Sequence, residues 1–320
     1  MATVGVIGSG AWATVSGILL AKAGHTVIQW VHRNEYADAI NHTHCNHLTL
    51  PDVPLPPTLS ATRSPDDLAT LDAWVVAVPS RYLSTLSSFP YHQQPLVSLV
   101  KGVSASADHP LPVHEMAQWW GQVPAVLSGP NLASELAHAQ PGAAVVAAHH
   151  PDHAIFFQSL FGSGQLRVYT SDDVVGVSYG GILKNVYAVA AGIVDGLGLG
   201  MNAKAALMTR ALHEMSRLGE HWGGHAPTFY GLSGLGDLMA TAYSPASRNW
   251  QSGYLIGQNK PRDLPGRGIA EGIRTIQTMS PPPHGTTPIY DALQAIICDN
   301  QPVQQVVTHL MQRAPKPERS

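Results

Sequence analysis

The chain has 320 residues, 44% of them hydrophobic and 12% charged, with a formal net charge of -3. That composition can bury a large core and excludes a disordered chain. The near-neutral balance excludes a global basic field of the kind that draws nucleic acid, so any bound anion must be held by a local cluster of cations.

The length predicts two domains. Two cysteines, Cys45 and Cys298, at a spacing suited to neither zinc nor redox chemistry, predict a reducing compartment. The first residues carry no basic segment followed by a long apolar run, so a cytoplasmic protein without a signal peptide is expected. The longest apolar stretches, such as residues 186–194, are too short to span a bilayer, so no stable membrane insertion is expected.

In chain order, residues 3–7 predict a short buried strand, residues 8–13 a turn, and residues 15–23 a helix stopped by Gly24. Residues 25–31 predict a second strand, completing a βαβ opening in about 30 residues. Residues 41–57 are polar and Pro-rich and predict a loop. A short helix is expected over 64–71, a strand over 73–79, a helix from 82 to 86, and a strand over 95–100 that delivers Lys101 and Gly102. A helix over 113–120 precedes a strand over 125–127 leading into Ser128-Gly129-Pro130-Asn131; further strands are expected over 142–148 and 166–169. Helical periods then dominate, over 174–194, 202–219, 227–232, 268–280 and 288–298. The pattern predicts an α/β fold: an N-terminal Rossmann-type doubly wound sheet in a dinucleotide-binding domain, 1–173, followed by an all-helical C-terminal, substrate-binding domain, 174–320. The tail after Arg313 is expected to fray.

Gly8-x-Gly10-x-x-Ala13 matches the fingerprint of a dinucleotide-binding turn, and it lies where that turn must lie, between a strand and a helix. Gly8 permits the turn, Gly10 admits a pyrophosphate to the backbone, Ala13 allows close helix–strand packing, and the helix start offers N–H donors. The acid that would bind a ribose 2′-hydroxyl is missing. The second strand ends instead in Trp30-Val31-His32-Arg33, and His32 with Arg33 suits a 2′-phosphate. NADP(H) is therefore favoured, with NAD(H) open as the alternative if the pair are ordinary loop residues.

Lys184 is the one charged residue in its predicted helix, with Gly180 and Gly181 one turn before it. Two helical glycines cost about 1 kcal/mol each against alanine, so something must offset them. Two readings stand. Close approach of a ligand would leave Lys184 desolvated, with a lowered pKa suited to proton transfer. Alternatively the lysine snorkels to solvent and the glycines serve helix packing. Further on, Gly234-Leu235-Gly236-Asp237 presents a carboxylate, and Ser247-Arg248-Asn249 offers a hydroxyl, a guanidinium and an amide suited to a phosphate monoester, or simply a polar helix start. Lys101 and Gly129 follow strand ends where open sheets bind ligands.

Taken together, Gly8-Ser9-Gly10-Ala11-Trp12, Lys101-Gly102, Gly129-Pro130-Asn131-Leu132-Ala133, Gly180-Gly181-Ile182-Leu183-Lys184-Asn185, Gly234-Leu235-Gly236-Asp237-Leu238, Ser247-Arg248-Asn249 and Glu271-Gly272-x-Arg274 resemble, in order, bacterial-type NAD(P)-dependent sn-glycerol-3-phosphate dehydrogenases. The resemblance implies hydride transfer between dihydroxyacetone phosphate and sn-glycerol 3-phosphate, supplying phospholipid synthesis. It implies Lys184 as general acid/base with Asp237 beside it. It implies substrate binding by Lys101, Gly129, Asn131, Lys184, Asp237, Ser247, Arg248 and Asn249. Cofactor contacts carried over are Gly8, Gly10, Ala11, Trp12, Lys101, Ala133, Arg248, Ile269 and Glu271. Ala11 and Asn131 stand where the family usually has serine. The family often forms homodimers, and the helical half is able to carry such an interface.

Two other enzyme or binding roles fit the same turn: a hydroxyacid-type dehydrogenase, and a catalytically silent NADPH-binding regulator. Retained Lys184 and Asp237 speak against the second. His42, His44, Cys45 and His47 crowd into one Pro-rich loop with no second ligand pair, so no metal site is expected.

Overall fold

Among the described residues, eight short strands build one sheet: β1 (Thr3–Ile7), β2 (Thr26–Trp30), β3 (Leu59–Thr62), β4 (Ala73–Val76), β5 (Leu96–Ser98), β6 (Ala125–Ser128), β7 (Gly142–Ala147) and β8 (Leu166–Ser171). Their order across the sheet is β3-β2-β1-β4-β5-β6-β7-β8. Every pairing is parallel except the antiparallel β6–β7. The first six strands follow the 3-2-1-4-5-6 order of a dinucleotide-binding sheet. β4 (Ala-Trp-Val-Val) and β6 (Ala-Val-Leu-Ser) are buried along their whole length, as interior strands of a parallel sheet covered on both faces must be. This computed structural model describes residues 1–104, 111–261, 268–280, 287–315 and 317–318.

The helices in chain order are α1 (Ala11–Lys22), α2 (Asn34–Thr43), α3 (Pro112–Trp120), α4 (Ala133–Ala137), α5 (Pro151–Phe161), α6 (Val174–Gly196), α7 (Gly200–His221), α8 (Ala226–Phe229), α9 (Asp237–Ala242), α10 (Arg248–Gly257), α11 (Glu271–Thr278), α12 (Pro288–Ile297) and α13 (Val303–Met311). Because β1, β4, β5 and β6 run in one direction, the residues that follow them, Gly8, Ser80, Lys101 and Gly129, emerge along one edge of the sheet. Ligands bind at this edge in open α/β sheets.

After β8 the chain is helical, and α6 is its axis, with α7, α9, α10 and α11 packed around it. The crossing of α6 with α10 is close because glycines line both sides. A Cβ on Gly192 would stand 2.1 Å from Trp250 O, and one on Gly253 would stand 2.0 Å from Val189 O. α6 is long and apolar enough to cross a bilayer, contrary to the expectation that every apolar stretch is too short. Its most apolar 18-residue window is wholly buried inside the protein, so this face meets helices instead of lipid.

Other local expectations need correction. The helices expected over 64–71 and 82–86 are 3-10 turns, Pro65–Leu68 and Ser80–Leu86. The one expected over 227–232 is a single turn, α8, followed by a π-type turn at Leu232–Gly236. The start of the expected 41–57 loop belongs to α2, and β3, α2, α4, α5, α9 and α13 lie outside the expected elements. The helix expected over 268–280 is shorter, at α11. The tail after Arg313 lies partly outside the described residues; within it, Glu318 O accepts from Arg210 Nη1 at 2.9 Å.

Candidate active site

Lys184 projects from the middle of α6 toward the sheet edge, and its burial excludes the snorkelling lysine. It is 7% exposed and does not snorkel. Its Nζ donates to Asp237 Oδ1 at 2.9 Å and to Thr241 Oγ1 at 2.7 Å. Asp237, the first residue of α9, accepts from Lys101 Nζ on its other oxygen at 2.6 Å. Lys101 Nζ also donates to Gly129 O at 3.0 Å. Two lysines from distant segments thus share one buried carboxylate.

The electrostatics follow from that sharing. Burial pulls the Lys184 ammonium down to about 8, with Lys101 adding to the effect and Asp237 opposing it. Burial alone would raise Asp237, but Lys101 and Lys184 overrule it and hold its carboxyl below the ordinary value. The result is a charged carboxylate beside an amine able to exchange its proton near neutral pH.

Gly180 and Gly181 serve protein packing, as the second reading of this helix has it. A Cβ on Gly180 would lie 2.9 Å from Ser233 O, and one on Gly181 would lie 2.8 Å from Ser128 Oγ. The absence of side chains there lets α6 sit directly against the β6 end and the π-type turn, and so brings Lys184 to Asp237. Among the described residues, Ser128 Oγ and Ser233 Oγ are buried without a hydrogen-bond partner.

A run of amides joins the two halves of the site. Asn185 Nδ2 donates to Lys101 O (2.8 Å), Asn249 Nδ2 to Asn185 Oδ1 (2.7 Å), and Gly272 N to Asn249 Oδ1 (2.8 Å). Ser247 caps α10, accepting from Trp250 N at 3.3 Å, and Arg248 stands half-buried beside it. The Asn131 amide, oriented to suit the carbonyls around it, donates to Pro130 O (3.2 Å) and Ala143 O (3.0 Å). Gly129 has φ +147°, and a Cβ there would meet Ala143 O at 2.7 Å, so only glycine fits.

The glycine turn fits a dinucleotide. Gly8 has φ +139°, and its missing Cβ would strike Ala77 O at 2.6 Å. A Cβ on Gly10 would instead meet nothing within 4 Å, and α1 begins there with no side-chain cap, leaving its first N–H groups uncommitted among the described residues. Ala11, Trp12 and Ala133 are half-buried against one apolar cluster. Ser9 Oγ and His32 Nδ1 are 2.9 Å apart, and Arg33 lies 4.9 Å over the Tyr36 ring. Burial, reinforced by the positive Arg33 and Arg63, holds His32 below the ordinary imidazole value. Arg63, which follows β3 and donates to Asn34 Oδ1 at 2.7 Å, adds a third basic group that the sequence did not reveal. Glu271 accepts from Ser80 N (3.1 Å) and Ser80 Oγ (2.7 Å), while Ile269 is 45% exposed nearby in sequence. Thr241 and Asn185 were also missed. Thr241 was findable as the i+4 neighbour of Asp237 on one helix face.

A dinucleotide turn at the carboxyl edge of a Rossmann sheet, with a buried lysine–carboxylate pair carried to that edge by an all-helical half, defines a nicotinamide-dependent oxidoreductase. Comparison with known proteins makes the class specific. Family descriptions for the NAD-dependent glycerol-3-phosphate dehydrogenase N-terminus and C-terminus match residues 3–154 and 173–308. The NAD(P)+ glycerol-3-phosphate dehydrogenase of Bacillus pumilus is 39% identical over 98% of this chain and 95% of its own length. That of Streptomyces avermitilis is 40% identical over 98% and 97%. The crystal structure of the Coxiella burnetii glycerol-3-phosphate dehydrogenase superposes with a TM-score of 0.88 at 30% identity, covering 98% of this chain and 99% of that one. The chain belongs to the NAD-dependent glycerol-3-phosphate dehydrogenase family.

Proposed function

We propose that the protein interconverts dihydroxyacetone phosphate and sn-glycerol 3-phosphate with NAD(P)H, and that it supplies glycerol 3-phosphate for phospholipid synthesis in the cytoplasm. The observation that carries the reading is Lys184, buried and held between Asp237 and Thr241 at the edge where the glycine turn opens. The nicotinamide, when bound, supplies or accepts the hydride at the substrate C2. Lys184 gives its proton to the forming C2 alkoxide during reduction and takes the hydroxyl proton in the reverse direction. Asp237 keeps Lys184 in place, and Lys101 adds positive charge toward the substrate oxygens. Gly129, Asn131, Ser247, Arg248 and Asn249 complete the substrate pocket, with Arg248 set to pair with the phosphate.

On the cofactor side, Gly8, Gly10, Ala11 and Trp12 bind the pyrophosphate region, and Lys101, Ala133, Arg248, Ile269 and Glu271 line the rest. His32 and Arg33, now joined by Arg63, favour NADP(H), with NAD(H) accepted less well. The division of labour is between residues 1–173, which bind the dinucleotide, and 174–320, the helical substrate-binding half, which is able to carry a homodimer interface. Steady-state oxidation of NADPH and NADH with dihydroxyacetone phosphate, set against 2- and 3-oxo acids, tests the whole reading. Turnover of the phosphotriose with a higher kcat/KM for NADPH is expected. Preference for an oxo acid would overturn the substrate, and a strong NADH preference the cofactor assignment.

A further inference from the structure

Beneath the glycine turn lies a buried polar cluster. Gln29 on β2, Thr14 on α1 and Asn46 after α2 are each 0% exposed. Gln29 Nε2 donates to Gly8 O at 2.8 Å and to Thr14 Oγ1 at 3.2 Å. Asn46 Nδ2 donates to Ser9 O at 3.2 Å and to Thr14 Oγ1 at 2.8 Å. Burying three polar side chains is costly unless their hydrogen bonds are made. Here the amide oxygens of Gln29 and Asn46 have no partner among the described residues, so the cluster is organised around what the N–H groups hold.

What they hold are two successive carbonyls of the turn. A trans peptide is planar, and its C=O and N–H point in opposite directions. Drawing Gly8 O and Ser9 O inward therefore drives the Ser9 and Gly10 N–H groups outward. Neither N–H has an acceptor among the described residues, whereas the Gly8 N–H is tied to Trp30 O at 3.1 Å. A Cβ on Gly10 would meet nothing within 4 Å, so the turn is open at that residue.

We propose that Gln29 and Asn46 are positioning residues for dinucleotide binding: they fix the two turn peptides so that consecutive N–H donors face the pyrophosphate. The proposal rests on the cofactor reading of the turn given above. Its test is calorimetric titration of the purified protein with ADP-ribose, which carries the pyrophosphate, and with 2′-AMP, which does not. Gln29→Met and Asn46→Leu keep the side-chain volume and remove the donor. Each is expected to weaken ADP-ribose about tenfold while 2′-AMP stays within about twofold, as expected for loss of oriented hydrogen bonds to a charged group. Equal weakening of both ligands, or an unchanged ADP-ribose affinity, would overturn it. A measurement on the unaltered protein stands apart from the variants' folding. The Ser9 and Gly10 amide protons are expected to shift downfield with ADP-ribose and not with 2′-AMP, and unmoved resonances overturn the proposal. Unaltered protein that binds neither NADPH nor ADP-ribose would remove the cofactor reading itself.

Discussion

Lys184 is set by three neighbours acting in different directions. Burial and Lys101 favour the neutral amine and Asp237 favours the ammonium, which leaves a value of about 8. Reduction needs the ammonium as proton donor, so kcat/KM for dihydroxyacetone phosphate should fall as pH rises through about 8. Oxidation of glycerol 3-phosphate needs the free amine and should rise through the same range; the two pH–rate profiles check this. Asp237→Asn removes the opposing charge and leaves two lysines facing each other, so both limbs should move to lower pH. Lys184→Met should lower kcat by about 10²–10⁴-fold with NADPH affinity kept, measured by fluorescence titration beside steady-state rates. Near-normal turnover would refute the assigned role.

At the scale of the helices, the site depends on how tightly they approach one another. α10, whose cap and first turn carry Ser247, Arg248 and Asn249, meets α6 at glycines. Gly192→Ala would put a Cβ 2.1 Å from Trp250 O, a backbone atom that cannot rotate away. The helices must separate, at a cost of about 1–3 kcal/mol. Urea unfolding should report that loss, and the KM for dihydroxyacetone phosphate should rise with it. A second junction is Glu214 on α7, 1% exposed, which accepts from Ile289 N (3.0 Å), Tyr290 N (2.7 Å) and Tyr187 Oη (3.1 Å). It caps α12 from a neighbouring helix and ties both to α6. Glu214→Ala leaves two buried N–H groups unsatisfied and should cost about 2–4 kcal/mol in the same unfolding experiment.

The whole molecule couples sheet and helical half through Asp237, which holds a lysine from each. A ligand that binds the folded state there should stabilise it by mass action, about 2.7 kcal/mol at a hundredfold excess over Kd. Thermal unfolding with NADPH should show Tm rising with its concentration, and an unchanged Tm would count against the site. The net charge of -3 gives no long-range attraction for an anionic substrate, so recognition falls to the local cations.

The glycine turn was legible in the sequence because its determinants are local: a strand, two glycines and a helix start within a dozen residues. The α/β half followed by helices was legible because hydrophobic period is local too. β3 (Leu-Ser-Ala-Thr) was not, since four residues with little apolar pattern form a strand only because β2 offers them an edge. The same limit applied at Lys184. Its neighbours in sequence allowed either a snorkelling lysine or a buried one, and the choice was made by Asp237, 53 residues on, itself joined to Lys101 across 136 residues. The sequence by itself determined the dinucleotide turn and the identity of the charged groups. Only the tertiary structure decided that those charges are buried together, because burial and pairing are properties of contacts between distant segments.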